Sequence, residues 1–480
     1  MESESREYHV PQFGELRIPS PETQRDALTK VCVNANDDNR WAEIGGVELI
    51  PGRPVVVPHG STTTVFSASG CVVTVTAAPA VLQNCYVTNS ASSWMHSLLD
   101  VHHGLEVDRA AAKSSESFGP RALFVTETGS GETGHYIHWL SQYAVRLGYH
   151  PFLIDCTSTF GYNGCLSLFN LQYPIDIECG LSFSPGVFMF CGHEKESKPA
   201  LFRDRLSRLS LLSIEKMTRD ERSRVGGVFM NYGGLNRLDV EEADTGRGKE
   251  DPIDTLLNVV QECDIDRLFV VGSAWLRFKI FQRAVQRGQE MPGSLLEVGA
   301  EFPRSDGFPC KLFLLDGCTT PVGVPHQGRQ QWLRYFVGTS TCPLRPTLVT
   351  VKVSAIRLAV LGNKDDSAMT TMMPMMDDPN TELPRTDPAA IQFLTVQDVD
   401  LKGRILAVST ANEFRTLPDG STRRHTFSEF EDAVRGAFVK GFAVVESVAP
   451  DTITLLLSNP SLLSDDAPCL FVTSEHLHSS

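Results

Sequence analysis

The sequence predicts a multidomain α/β protein in which an amino-terminal β-sandwich precedes a P-loop NTPase-like, doubly wound parallel sheet and a small carboxy-terminal α/β domain. Its 480 residues exceed what one hydrophobic core usually holds, so two or three domains are expected. Residues 41–87 alternate apolar and polar side chains in short runs, which indicates antiparallel strands. From Gly119 to about Gly288, apolar strand-like runs alternate with helical segments, which is typical of a parallel sheet.

The first domain is expected over residues 1–105. Its short runs, between Trp41 and Val87, are separated by prolines and glycines that favour turns: Pro51, Gly52, Pro54, Pro58, Gly60 and Gly70. Met95–Ala112 has the spacing of a helix and predicts a connector into the next domain.

A central domain is expected over residues 106–330. Its predicted strands are Phe152–Asp155, Gly226–Met230 and Arg267–Val271, and Thr255–Cys263 is a predicted helix. Because strands and helices alternate, the strands should run parallel.

A last domain is expected over residues 331–480, where the sequence pattern changes. Leu348–Val353, Ala443–Val448 and Thr452–Leu457 read as strands. Residues 363–387 are rich in methionine, aspartate and proline, and predict an exposed insertion, with a methionine-lined partner contact as the alternative.

Composition excludes several classes of function. The net charge of −15 argues against broad non-specific binding of nucleic acid, and the basic segment Lys198–Lys216 is interpreted as a solvated helix face. The amino terminus lacks a signal-peptide pattern and no apolar run approaches about 20 residues, so we expect an intracellular protein that does not enter a membrane. Twelve cysteines without a C-x-x-C pair indicate buried core residues rather than a zinc site.

The segment between Gly119 and Gly148 has the layout of a phosphate-binding P-loop. Ala122–Val125 reads as a strand, Thr126–Gly134 is rich in glycine and small hydroxyl residues, and Tyr136–Leu147 has helical spacing. Backbone N–H groups of such a loop, together with the helix dipole, favour an anion at the start of the helix. The sequence therefore predicts a nucleotide site whose candidate contacts are Gly129, Ser130, Gly131, Glu132, Thr133 and Gly134.

This loop lacks the lysine of the pattern G-x-x-x-x-G-K-[ST]. One register places Glu132 at the lysine and Thr133 at the magnesium-binding hydroxyl; a second places His135 and Tyr136 there. No lysine lies between Lys113 and Lys195, so neither register supplies one. At about 4 Å and an effective dielectric near 20, a pair of unit charges interacts by about 4 kcal/mol, so a glutamate there opposes triphosphate binding.

Short segments along the whole chain carry a family resemblance. They are ELRI at Glu15–Ile18, AEIGGVEL at Ala42–Leu49, Gly70-Cys71, GPR at Gly119–Arg121, YAVRLG at Tyr143–Gly148, YFVG at Tyr335–Gly338, Val351–Val353 and GFAVVESV at Gly441–Val448. In this order and spacing, the sequence resembles the Clp-type polynucleotide 5′-hydroxyl kinase family. A nuclear member of that family is a subunit of the mRNA cleavage and polyadenylation machinery.

The resemblance implies roles for individual residues. The family's nucleotide contacts match Glu15, which is retained, and Thr62, where relatives carry a lysine; a base-side clamp corresponds to residues 231–233. The family's Asp-x-Gly-Gln catalytic segment falls on Thr157 and Phe160, so the expected base is missing. Asp155 is the candidate replacement, with a structural brace as the alternative, and Arg329 corresponds to an arginine of the family's lid, with an ordinary surface residue as the alternative.

Three hypotheses follow. The leading one is a non-catalytic subunit for pre-mRNA 3′-end cleavage and polyadenylation in the nucleus. It would hold other factor subunits together, including a Pcf-type protein, and would contact RNA through the complex. ATP would be a structural ligand, either still bound or bound only in the ancestral protein, with Thr133 contacting its Mg²⁺. The second is an RNA 5′-kinase in which His135 supplies charge, Thr133 holds magnesium and Asp155 is the base. The third is a nucleotide-free scaffold.

Overall fold

The computed structural model of the protein describes residues 3–20, 28–34, 41–57, 61–89, 92–127, 131–177, 180–181, 184–192, 199–244, 251–287, 300–303, 309–317, 329–339, 342–361, 391–397, 399–416, 421–463 and 468–477. The chain forms two compact units. The first comprises residues 1–161, 167–186 and 207–327, and the second comprises 162–166, 187–206 and 328–480. The division into three domains at residues 105 and 330 stays a prediction.

The first unit begins with two antiparallel sheets, ordered β1-β8-β3-β6 and β5-β4-β7-β2-β9. Their strands are β1 Glu4–Val10, β2 Gly14–Ser20, β3 Lys30–Val33, β4 Glu43–Ile44, β5 Val47–Glu48, β6 Val55–Val56, β7 Ser61–Ser67, β8 Cys71–Ala77 and β9 Tyr86–Thr88. Strand β8 alternates buried and half-buried residues, as period-two patterning predicts. Side chains of both sheets, such as Leu16, Val65 and Val73, share one core, which confirms the predicted β-sandwich.

Two helices follow the sandwich strands. Helix α1 is Pro79–Asn84 and helix α2 is Ser93–Ser115. Helix α2 contains the predicted connector and extends it at both ends. Its buried stripe includes Trp94, Leu98, Val101 and Leu105, which recur at the three- and four-residue spacing of one helix face.

A mostly parallel sheet lies largely in the first unit. Its strands are β10 Arg121–Thr126, β11 Phe152–Asp155, β12 Cys165–Asn170, β14 Val228–Gly234, β15 Arg267–Val271, β16 Ala300–Pro303 and β17 Pro309–Leu315. Their order is β16-β17-β15-β10-β14-β11-β12, and the five strands from β17 to β11 pair in parallel. All six residues of β10 are buried, as expected of a central strand between covered faces. The predicted doubly wound P-loop architecture is confirmed.

Helices connect these strands. They are α3 Gly131–Arg146, α5 Glu221–Gly226, α6 Arg237–Asp244, α7 Pro252–Glu262 and α8 Ala274–Gln286; helix α4, Pro199–Met217, runs from the second unit into the first. Asp220, Asp251 and Ser273 accept backbone N–H groups at the starts of α5, α7 and α8. The predicted strand at Gly226 begins two residues late, because Gly226 ends α5 and Gly227 turns with a φ of 76°.

The second unit contains a mixed sheet with the order β13-β24-β21-β26-β19-β20, and β25 pairs with both β24 and β18. Its strands are β13 Gly186–Phe190, β18 Thr347–Lys352, β19 Arg357–Leu361, β20 Ile391–Leu394, β21 Arg404–Asn412, β24 Val439–Val448, β25 Thr452–Leu457 and β26 Pro468–His476; β22 Phe414–Thr416 and β23 Thr422–Arg424 form a hairpin. Helices α9 Arg329–Val337 and α10 Phe427–Arg435 complete the unit. On β21, Ile405 and Ala407 enter one core while Leu406 and Val408 enter another. Both faces of the sheet are therefore covered, in agreement with the predicted α/β domain.

Two sequence predictions concern the insertion in the last domain and membrane-spanning helices. The insertion at 363–387 lies outside the described residues. None of the described helices is both long and apolar enough to cross a bilayer.

Candidate nucleotide site

The P-loop lies at the carboxyl end of the central strand. Strand β10 pairs with β14 on one side and β15 on the other, and its last residue, Thr126, leads through Glu127 to helix α3. Thr128 and the predicted contacts Gly129 and Ser130 lie outside the described residues. This position, above the middle of a parallel sheet, is where α/β folds commonly bind ligands.

Glu132 lies in the first turn of α3 and is half-buried. Its Oε2 accepts a hydrogen bond from Thr126 Oγ1 at 3.3 Å. A Cβ placed on Gly272 would lie 3.1 Å from Oε2, and one on Gly317 would lie 3.6 Å from Oε1. The carboxylate is therefore seated beside the ends of β15 and β17. Burial raises its pKa, and the bond from Thr126 lowers it in part.

Thr133, the candidate magnesium hydroxyl, faces the other side of the loop. It is fully buried, and its Oγ1 donates to Asn231 Oδ1 on β14 at 2.7 Å. Asn231 Nδ2 in turn donates to Asp155 Oδ1 at 3.0 Å and to Thr157 Oγ1 at 2.9 Å. One continuous hydrogen-bond network thus joins α3, β14 and β11.

Asp155 is the centre of that network and is fully buried. Its Oδ1 accepts from the backbone N–H of Thr157 at 3.2 Å, from Thr157 Oγ1 at 2.7 Å and from Asn231. Its Oδ2 accepts from the backbone N–H groups of Phe160 at 2.8 Å and Gly161 at 2.9 Å. This arrangement has the geometry of a loop brace, the structural alternative for this residue, because both oxygens are engaged and away from solvent.

His135 cannot supply the charge that the kinase hypothesis assigned to it. The side chain is buried, and burial lowers its pKa to about 3, with further lowering from the nearby His138 and Arg17. At neutral pH the imidazole is uncharged. The expected cation is therefore replaced by a neutral ring, because a buried charge without a partner is disfavoured.

Glu15 and Thr62, the nucleotide contacts that the family resemblance implies, both lie on strands of the sandwich. Glu15 is buried on β2, and its carboxylate accepts from Arg17, with Nε at 2.9 Å, and from Ser92 Oγ at 3.0 Å. Ser92 precedes α2, so Glu15 joins the sandwich to that helix. Thr62 lies on β7 opposite Pro19 and is half-buried.

The other candidate residues lie at the start of α3, on β14 and at the start of α9. No atom of the described residues would lie within 4 Å of a Cβ on Gly131, whereas Gly134 is buried in the helix. Tyr232 and Gly233 lie on β14 beside Asn231. Arg329 begins α9 in the second unit. Among the described residues, no group of three or more His, Cys, Asp or Glu side chains is placed to hold a metal ion.

The far end of α3 carries an ion-pair network that sequence reasoning missed. Glu43 on β4 is fully buried and accepts from Tyr143 Oη and from Arg146 Nη1, each at 2.6 Å. Arg146 also reaches Glu48 at 3.2 Å. Burial raises the pKa of Glu43, and Tyr143 and Arg146 oppose the rise. The segments AEIGGVEL and YAVRLG, each quoted for the family resemblance, are thus contact partners.

Comparisons with known proteins agree with this geometry. A family model described as the N-terminal β-sandwich domain of polyadenylation factor matches residues 9–112. A second, described as the mRNA cleavage and polyadenylation factor CLP1 P-loop, matches residues 128–240.

Individual relatives and solved structures extend the likeness along the chain. The protein CLP1 homolog of Drosophila melanogaster is 22% identical over 467 residues, covering 96% of this chain and 94% of its own. The mRNA cleavage and polyadenylation factor clp1 of Emericella nidulans is 23% identical over 312 residues, covering 54% and 55%. A Clp1p–Pcf11p structure concerned with their extended interface and with ATP loss in a point mutant has a TM-score of 0.70 at 15% identity, covering 98% of this chain and 99% of that one. The wild-type Clp1p–Pcf11p complex gives 0.69 at 14%, covering 98% of each chain.

The structural likeness concerns the fold, while the family models concern defined segments of sequence. The chain therefore carries the amino-terminal β-sandwich and P-loop domains of the CLP1 family of mRNA cleavage and polyadenylation factors.

Proposed function

We propose that this protein is a non-catalytic subunit required for pre-mRNA 3′-end cleavage and polyadenylation, acting in the nucleus by holding other factor subunits together. The family domains and the CLP1 relatives support the process. The observation that carries the non-catalytic role is Glu132 in the first turn of α3, beside Thr126, where one register of the P-loop pattern has its lysine.

Phosphoryl transfer needs cations around the phosphates and a base on the attacking hydroxyl. Here Glu132 contributes an anion, and burial keeps His135 neutral. Asp155, the remaining base candidate, is sealed and saturated with hydrogen bonds. The lack of both a cation and an available base around this site supports a pocket that does not catalyse phosphoryl transfer.

A Pcf-type scaffold protein is the partner that we propose. The fold neighbours are Clp1p chains in complexes with Pcf11p, and this chain has the same fold. ATP is the ligand class of the ancestral P-loop, and Thr133 is the residue that would meet its Mg²⁺. In this role ATP, bound now or formerly, is a structural ligand and not a substrate.

An end-labelling assay tests the catalytic part. Purified protein is incubated with γ-labelled ATP, Mg²⁺ and a 5′-hydroxyl RNA oligonucleotide, beside an active polynucleotide kinase. We expect no label above the protein-free control. Label whose transfer is abolished by Asp155→Ala, in a protein that remains folded, would instead establish the kinase.

A depletion assay tests the scaffold part. Removing the protein from nuclear extract of its own organism should reduce 3′-end cleavage and the co-precipitation of a Pcf-type subunit with the cleavage factor. Adding back wild-type protein should restore both. Unchanged cleavage after complete depletion would refute the proposed role.

A further inference from the structure

We propose that the described residues on either side of the P-loop do not fit Mg²⁺-ATP, because Glu132 places an anion on one side and a hydrogen-bond network around Asp155 occupies the possible metal ligands on the other. The inference goes beyond the non-catalytic role, because a catalytically dead P-loop can still bind nucleotide.

The first support is the seat of the Glu132 carboxylate. Thr126 donates to it from the end of β10 at 3.3 Å. Gly272, with a φ of 73°, and Gly317 lie against its two oxygens, and a side chain on Gly272 would crowd Oε2 at 3.1 Å. Two glycines on adjacent strand ends therefore leave room for this carboxylate. A seated anion at the lysine position repels a triphosphate.

The second support is the metal side of the loop. Magnesium in nucleotide sites prefers carboxylate, hydroxyl and phosphate oxygens in octahedral geometry. Thr133 is bonded to Asn231, which is neutral, and both oxygens of Asp155 already accept five hydrogen bonds between them. Coordination by Asp155 would require breaking several of these bonds. The residues present do not fit the metal.

The third support is the state of the described cations around the loop. Arg17 is buried in an ion pair with Glu15. Arg237, which follows β14, pairs with Glu241 at 2.8 Å and lies over the Trp275 ring at 4.9 Å. The buried imidazole of His135 is neutral at pH 7. Each of these groups would have to leave a partner or gain a proton before it could neutralise phosphate.

Binding measurements on the full chain test the inference. Isothermal titration with ATP, with Mg²⁺ and with EDTA, should give no saturable binding up to millimolar ATP, and ATP should not shift the melting temperature. Replacing the carboxylate by a cation in Glu132→Lys should tighten ATP binding by roughly 100-fold or more, from the sign reversal of one close charge pair. Glu132→Gln, which keeps the shape and removes the charge, should give a smaller gain of about 10-fold.

The matched control is Glu116→Lys. Glu116 is exposed at the carboxyl end of α2, so the substitution makes the same change in net charge away from the loop. It should leave ATP binding undetectable. Equal gains in both lysine variants would overturn the inference, as would tight Mg²⁺-dependent binding by the wild type or a stoichiometric adenine nucleotide in the purified protein.

Folding of each variant is checked by circular dichroism and melting. If Glu132→Lys fails to fold, Glu132→Gln carries the test, and no gain in a folded Gln variant would count against the internal-anion role. The outcome is separate from the proposed function, because a chain that binds ATP tightly could still fail to label RNA and still support cleavage.

Discussion

The two ends of helix α3 differ in what they retain. At its start, the loop end, Glu132 places a carboxylate in the first turn, and burial lowers the pKa of His135 to about 3. At its far end, Tyr143 and Arg146 bind the buried Glu43 of the sandwich, and Trp139 meets Phe66 edge to face at 6.5 Å. The far end makes hydrogen bonds, ion pairs and a ring contact with the sandwich, while the described side chains at the loop end are an anion and a neutral imidazole, which do not attract phosphate. This contrast indicates that the helix serves mainly as a joint between the sandwich and the parallel sheet.

The largest expected effect comes from removing the centre of that joint. Glu43→Ala removes the buried acceptor of Tyr143 and Arg146, while Arg146 keeps Glu48 and the Gly46 carbonyl oxygen as partners, so we expect a loss of about 3–4 kcal/mol in the free energy of unfolding. Urea denaturation measures it. Glu48→Ala is the matched control, since Glu48 is 55% exposed and should cost less than about 1 kcal/mol. Similar losses in both variants would remove the contrast between the two ends of α3.

The next effect belongs to the loop end. Asp155→Ala removes the acceptor of five hydrogen bonds and should lower the free energy of unfolding by about 3 kcal/mol. Asp155→Asn, which keeps acceptor capacity on one oxygen, should lose less. Chemical denaturation of the two variants beside wild type decides this, and an unchanged stability for Asp155→Ala would mean that the residue is kept for something other than bracing.

A smaller effect is expected in the turn that docks on α3. Gly46 has a φ of 83°, and a Cβ there would lie 2.9 Å from Gln142 Cβ and 3.1 Å from the carbonyl oxygen of Trp139. Gly46→Ala should cost about 2 kcal/mol from backbone strain and crowding. Gly52 has a φ of 76° in an exposed turn, so Gly52→Ala introduces the backbone strain without the crowding. This variant should lose about 1 kcal/mol in the free energy of unfolding. Thermal melting of both variants compares them; equal shifts would show that the docking contact adds nothing.

The smallest effect is a dependence on pH. Because the folded pKa of His135 is lowered to about 3, the neutral form stabilises the fold above the unfolded pKa near 6.5, and this stability is lost as the pH falls below that value. When the pH falls from 7 to 5, the free energy of unfolding of His135→Gln should therefore decrease by about 1–2 kcal/mol less than that of the wild type. His9→Gln, at an exposed position, should behave as wild type. Parallel stability curves for wild type and His135→Gln would contradict the buried neutral state.

Many of the strands and helices could be predicted because they depend on the local pattern of apolar and polar residues. The strands at Phe152–Asp155, Arg267–Val271 and Thr452–Leu457 have the predicted bounds, since each is a compact run of strand-forming residues. Helix α3 begins at Gly131 rather than Tyr136, because glycine and small residues weaken the sequence signal of a first turn that the fold nevertheless stabilises.

The candidate site was less predictable. The missing lysine is visible in sequence, but the direction in which Glu132 points depends on glycines more than 130 residues further along the chain. The bonds of Asp155 to Asn231, and of Glu43 to Arg146, join segments that only the tertiary fold brings together. No local pattern carries such information, because side-chain partners across strands and helices are set by packing.

The strand order also has a consequence for biosynthesis. Strand β10 is flanked by β14 and β15, which the ribosome delivers long after β10 itself. Until they arrive, both edges of a strand that is entirely buried in the finished fold stay open to pairing with other chains. We expect the nascent polypeptide to depend on chaperones during this interval, and the sandwich, whose strands pair over shorter separations, to be ordered first.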